Sequence, residues 1–147
     1  MSRRVDILLV DDNPDDRELA QIALARVKRD VTVEFARDGV EALDYLLRRG
    51  ARPADTPPER PRLVLLDLKL PKLDGIEVLV GLRADPATRT LPVVMLTSSR
   101  MDDDIRRCYE AGANGYVVKP ARFERFVQAM DEIIAFWLFL NEPPDRS

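Results

Sequence analysis

Five short apolar runs recur along the chain, each closed by polar or turn-forming residues: 5–10 (VDILLV), 31–36 (VTVEFA), Leu63–Leu66 (LVLL), 91–96 (LPVVML) and Gly115–Val118 (GYVV). Their length and bounding breakers predict strands, and a run without alternation such as LVLL reads as buried on both faces. Helical signals fill the gaps. Asn13-Pro14 opens the first helix, with Pro14 suited to its first position and Asp15, Asp16 and Glu18 in its first turn. Leu19, Ile22, Ala23 and Val27 give it an apolar face at 3.6 spacing. Asp38 and Glu41 form a capping box for a second helix running to about Arg49 and stopped by Gly50. A short third helix is predicted over 75–83, followed by a turn at Asp85-Pro86. The fourth covers 102–111 with Gly112 as its stop, and the last and longest covers 122–140.

Strand and helix therefore alternate five times. That βα repetition predicts one parallel five-stranded sheet with helices on both faces, doubly wound in the order 2-1-3-4-5. Residues 51–62 (ARPADTPPERPR) hold four prolines and no apolar pattern. As a helix-to-strand connection they should lie away from the carboxyl ends of the strands, so they read as a solvated spacer.

Composition narrows the function. The 147 residues suit a single domain, with a core over about 5–135, an extended last helix to about 140 and no output domain after it. A net charge of −3, from 23 basic and 26 acidic residues, gives no nucleic-acid surface. The cluster Arg26, Lys28 and Arg29 falls where the first helix should end and is expected to complement its dipole. There is no His, which excludes a Ser-His-Asp hydrolase, a His-ligated metal site and a phosphohistidine on this chain. The single Cys108 excludes an internal disulfide framework, fits a reducing compartment and reads as an ordinary helix residue. Arg3-Arg4 precede a run too short and too acidic for a signal peptide, and no stretch reaches membrane-spanning length. A cytoplasmic protein is expected.

The strand ends carry the chemistry. Asp11-Asp12 close the first strand, Asp67 the third, Thr97 the fourth and Lys119 the fifth. In the expected topology all of them lie on the sheet edge where open α/β folds bind ligands. Three carboxylates together would repel, and a hard divalent cation would relieve that; Mg²⁺ prefers a few carboxylates with waters and phosphate oxygens. One hydroxyl and one ammonium complete a set suited to cradling a phosphoryl group.

The segments 8–14 (LLVDDNP), 65–75 (LLDLKLPKLDG), 93–99 (VVMLTSS) and 112–120 (GANGYVVKP) resemble the receiver domain of bacterial two-component response regulators, in order and in spacing. The resemblance implies a flavodoxin-like sandwich in which Asp67 is the phosphoacceptor, charged from a phosphohistidine of a sensor histidine kinase. It implies Mg²⁺ (or Mn²⁺) held by Asp12, Asp67 and the backbone carbonyl of Lys69, with Asp11 helping directly or through water. It also implies that Thr97 turns toward the new phosphate, that Tyr116 swings inward with it, and that a cis Lys119-Pro120 bond positions the ammonium. Lys69 and Ser99 occupy positions that tune the site. The domain would promote its own phosphorylation and dephosphorylation without being an enzyme on other substrates.

At the end of the last helix, Phe136, Trp137, Leu138, Phe139 and Leu140 are consecutive and sweep about 100° each, so they cannot all face one core. An exposed apolar patch marks an interface. This aromatic helix end and the Pro-rich insertion are similar to single-domain regulators paired with bacterial phytochromes, which implies a homodimer through the last helix and a phytochrome kinase as partner, with no nucleic acid or membrane. The rival readings are a phosphorylation-independent docking module or phosphate sink with the same fold, a haloacid dehalogenase-type hydrolase, and a nucleotide-binding fold. The hydrolase would want a second acid where Lys69 stands, and no Gly-rich phosphate loop follows the first strand.

Overall fold

Along the central strands successive side chains point to opposite faces, and the two faces bury two different layers. In the computed structural model, which describes residues 5–47 and 60–144, the strands are β1 (Ile7–Val10), β2 (Val33–Ala36), β3 (Leu63–Leu66), β4 (Val93–Thr97) and β5 (Gly115–Val118). All neighbours are parallel and the order is β2-β1-β3-β4-β5. Leu8, Val10, Val64, Leu66, Val93 and Met95 face α2 (Gly39–Leu47), α3 (Gly75–Ala84) and α4 (Asp102–Glu110). Ile7, Leu9, Leu63, Leu65, Val94 and Leu96 face α1 (Pro14–Arg26) and α5 (Phe123–Ile134). Each such aliphatic side chain contributes about 1.5–3 kcal/mol on full burial. The predicted fold class is the observed one.

Local signals behave as their chemistry requires. Asn13 Oδ1 accepts from the amides of Asp15 and Asp16, and Pro14 takes the first helical position. Gly112, at φ +110°, ends α4; the amide of Ala113 donates back to the Cys108 carbonyl at 3.0 Å. Asp38 accepts from the Glu41 amide at 2.7 Å, but Glu41 returns its bond to the Arg37 amide rather than to Asp38, so the expected box is only half reciprocal. The reciprocal box is Asp74–Glu77 at the head of α3. The Pro-rich spacer and the Gly50 stop lie largely or wholly outside the described residues.

Three expectations need correction and a fourth, for the basic cluster, is extended. The inner face of α1 is Ala20, Ala23, Leu24 and Val27, while Leu19 and Ile22 are 44% and 45% exposed. The small alanines admit α5 with its bulky Phe126 and Met130, and at 100° per residue Ile22 then points away from them. Arg26 and Arg29 do more than cap a dipole. Arg29 pairs with Asp131 at 2.9 Å and lies 5.4 Å from the Phe139 ring, and Arg26 lies 5.8 Å from the Phe123 ring, so the cluster stitches α1 to the last helix. β1, β2 and β4 begin two residues later than expected, β4 because Pro92 has no N–H to give the ladder. The last helix is α only to Ile134 and continues as a π-helix over Ala135–Leu140. There the Asn141 amide donates to the Phe136 carbonyl five residues back, the bond that defines the wider turn, and Arg62 donates to the Leu138 carbonyl at the helix end.

Cys108 is fully buried, and burial, foremost, pushes its thiol up to about 11. It is a packing residue with almost no thiolate at neutral pH.

Candidate functional site

Backbone hydrogen bonds just past the strands draw the functional residues to one edge. The Asp11 amide donates to Ala36 O at 3.1 Å, the Asp67 amide to Val10 O at 3.1 Å, and the Lys119 amide to Thr97 O at 2.8 Å. Each ladder step thus sets a strand end beside its neighbour, and residues more than a hundred positions apart converge.

One carboxylate oxygen each of Asp11, Asp12 and Asp67 lies within 4.8 Å of the others. Among the described residues this is the group with metal-binding potential. Asp11 is buried and Asp12 exposed. Lys119 Nζ reaches Asp11 Oδ2 at 2.6 Å, Asp16 Oδ2 at 3.4 Å and Asp67 Oδ2 at 3.5 Å. Asp11 Oδ1 also accepts from the Asn13 amide at 3.0 Å, and Arg17 donates to the Asp11 carbonyl at 2.7 Å. Asp16 and Arg17 were not singled out in the sequence; the helix-dipole role of a first-turn acid fully accounted for Asp16 there.

The electrostatics of the cluster are unbalanced. Burial, foremost, and then the neighbouring Asp11 charge push the Asp67 carboxyl above its ordinary range, against the pull of Lys119, the Thr97 hydroxyl and the Leu68 amide. Burial pulls the Lys119 pKa down, yet its hydrogen bond to Asp11 and the charges of Asp67, Asp11 and Asp16 hold it above the usual lysine value. A single ammonium is therefore fixed among carboxylates that still carry excess negative charge. A hard dication fits such a donor set, since it needs carboxylate oxygens and tolerates water for the rest.

The remaining predicted residues surround the cluster. Thr97 is 1% exposed, and the Ser99 amide approaches its hydroxyl at 3.5 Å. Tyr116 is half-buried with its hydroxyl donating to Ser99 O at 3.0 Å, so it already lies under the loop between β4 and α4. Ser99 Oγ in turn donates to Asp104 Oδ2 at 2.6 Å, a link absent from the sequence reading. The side chain of Lys69 is exposed on the loop after β3. No described residue is preceded by a cis peptide, so the expected cis Lys119-Pro120 bond is not found. The ammonium reaches the acids from a trans bond, the ground state of most X-Pro pairs. At the far helix end Phe136, Phe139 and Leu140 are 46%, 59% and 70% exposed, Trp137 is half-buried and Leu138 is buried.

Residues 7–131 match the response regulator receiver domain, and the chain belongs to that family. Its sequence is 43% identical over 139 residues to the probable methanogenesis regulatory protein FilR2 of Methanothrix harundinacea (strain 6Ac), covering 94% of this chain and 86% of that one. Its fold is similar to that of the phosphorylated cyanobacterial phytochrome response regulator RcpA, with a TM-score of 0.86, 39% identity, and coverage of 97% of this chain and 100% of the other. It is similar also to the Mn²⁺-bound form of response regulator Rcp1, with a TM-score of 0.83, 36% identity and the same coverage. Receiver domains are phosphoacceptor signalling domains that take phosphoryl groups from histidine kinases. Among the described residues no helix is long and apolar enough to cross a membrane.

Proposed function

We propose that this chain is a response regulator that accepts a phosphoryl group on Asp67, in a Mg²⁺-dependent reaction, from a sensor histidine kinase of the phytochrome type. It then signals by binding another protein. The observation that carries the reading is the convergence of Asp11, Asp12 and Asp67 around Lys119, in a fold shared with a phosphorylated relative and a Mn²⁺-bound one.

In this scheme Asp11, Asp12, Asp67 and the Lys69 carbonyl hold the metal. When bound, the metal neutralises charge on the transferring phosphoryl oxygens. An Asp67 oxygen forms the new bond to phosphorus while the P–N bond to the donor imidazole breaks, and the imidazole leaves with the bonding pair and takes up a proton. The attack requires the ionised form of Asp67, which the Lys119 ammonium, the Thr97 hydroxyl and the Leu68 amide favour against burial. The Lys119 ammonium is poised to pair with the phosphoryl oxygens as the acyl phosphate forms, and the Thr97 hydroxyl to donate to one of them. Tyr116 and Ser99 couple that rearrangement to α4.

Intact mass after incubation with acetyl phosphate tests the reading. One phosphoryl group should be gained with Mg²⁺ and none without it. A chain that gains none under either condition would be a docking module instead. Asp12→Ala, at an exposed position, should keep the fold and weaken Mg²⁺ by roughly tenfold or more; unchanged affinity in a calorimetric titration would break the metal assignment.

The exposed Phe136, Phe139 and Leu140 are the surface we assign to self-association, with Trp137 packed edge-on against Phe136 at a ring separation of 5.1 Å. Replacing Phe136 and Phe139 with Asp should halve the mass read by light scattering. An unaltered mass would remove the patch from the interface.

A further inference from the structure

Of the site's parts, the loop from Leu68 to Asp74 is the least explained by the strands. It carries Lys69, and it leaves the sheet before α3 begins. Its base is closed by the Gly75 amide donating to Leu68 O at 2.8 Å, and inside it the Leu73 amide donates to Pro71 O at 2.8 Å. A Cβ on Gly75 would fall 2.5 Å from Asp67 O, so the inner wall admits no side chain. The outer wall is the head of α2. A Cβ on Gly39 would fall 2.3 Å from Leu73 O and 2.8 Å from Leu73 Cβ. Asp38, which caps α2, also pairs with Lys72 Nζ at 3.3 Å. Between these walls Lys72 holds φ 69°, and among the described residues it is the one non-glycine residue with a positive φ. A loop wedged from both sides, with one residue turned into the left-handed region, is set by its surroundings and not by its own preference.

We propose that Asp38, Gly39 and Lys72 are positioning residues of the metal site: the head of α2 presses the loop into the one path that presents the Lys69 carbonyl to the carboxylate cluster. This rests on the metal-site reading above. Gly39 matters for the space its missing side chain leaves, and Lys72 for its backbone, which a β-branched residue cannot follow at positive φ whereas Asn can. The Asp38–Lys72 pair is the minor part, since the Lys72 side chain is largely exposed.

The experiment measures Mg²⁺ affinity by calorimetric titration, with thermal unfolding alongside, on wild type, Gly39→Ala, Lys72→Val, Lys72→Asn and Gly81→Ala. Gly81 is the control for the packing of α2 on α3, because a Cβ there would meet only the flexible end of Leu43 at 3.3 Å. Gly39→Ala and Lys72→Val should each weaken Mg²⁺ by roughly tenfold, the lower end of the range seen when groups that orient ligands are lost. Lys72→Asn, which removes the ion pair but tolerates the φ, and Gly81→Ala should stay within about twofold of wild type. Phosphorylation by acetyl phosphate should be slowed in the two affected variants at low Mg²⁺ and recover at saturating Mg²⁺. If Gly39→Ala fails to fold, Lys72→Val at its exposed position decides alone. Wild-type affinity in Lys72→Val and in any folded Gly39→Ala overturns the proposal while leaving the metal site standing. A wild type that takes up no Mg²⁺ overturns both.

Discussion

Asp67→Asn is expected to gain no phosphoryl group from acetyl phosphate at any Mg²⁺ concentration, and to melt at a higher temperature than wild type at neutral pH. Loss of labelling follows because the amide is not a nucleophile and, among the described residues, no second carboxylate is placed to substitute for it. Asp11 is engaged by Lys119 and by the Asn13 amide, and Asp12 lies exposed at the edge of the cluster. The gain in stability follows from the electrostatics. The folded-state pKa of Asp67 is raised, foremost by burial and then by Asp11. The folded chain therefore binds that proton more tightly than the unfolded chain does. The associated stability is fully present below the unfolded pKa and is lost as pH rises through the folded one. At pH 7 wild type bears the whole penalty and the Asn variant none, so the melting difference should be positive at pH 7 and shrink as the solution is acidified. Mg²⁺ should raise the wild-type melting temperature by binding the native state and act much less on Asp67→Asn. Full labelling of the variant would move the acceptor elsewhere, and a lower melting temperature in metal-free buffer would mean that the Lys119 attraction outweighs the burial of the carboxylate.

The legible parts of this protein were those decided within a few residues. Leu63–Leu66 reads as a doubly buried strand because all four residues are apolar and the breakers are close. Once five such strands alternate with helices, chain handedness leaves few sheet orders. The convergence of Asp11, Asp12, Asp67, Thr97 and Lys119 then follows from topology, since each ends a strand at the same edge. What escaped was decided by distant partners. Whether α1 turns Leu19 and Ile22 inward or outward depends on the size of Phe126 and Met130, a hundred residues away. The π-helical end depends on Arg62 at the foot of β3 reaching the Leu138 carbonyl. Asp16 joins Lys119 only because the loop after β1 bends α1 over the site. The apolar excess at 136–140 could be read as exposed somewhere, but which of the five residues stayed outside was set by that same helix end.

Arg83→Ala should cost the fold about 2–4 kcal/mol, estimated from several charge-assisted hydrogen bonds of which part is recovered by water. The guanidinium leaves the last turn of α3 and ties three segments together. Its Nη1 donates to the carbonyls of Thr88, Arg89 and Leu91 at 3.2, 3.0 and 2.8 Å. Its Nη2 donates to Gly112 O at 2.8 Å and Asn114 Oδ1 at 2.9 Å, and Nε to Gly112 O at 3.0 Å. Burial pulls its pKa below the usual arginine value without discharging it, so the carbonyl dipoles carry the stabilisation of the charge. Lysine cannot span these acceptors from one planar fork, and Arg83→Lys should recover only a minor share. All of these acceptors lie at the amino ends of the strands or in the turns leading to them, the edge opposite Asp67. Arg83→Ala should therefore lower the urea midpoint while phosphoryl gain and Mg²⁺ affinity, measured well below the transition, remain those of wild type. A loss below about 0.5 kcal/mol would show that solvent replaces the guanidinium fully. Lost phosphorylation in the folded variant would show that the two edges are coupled through α3, which runs from the loop beside Asp67 to Arg83.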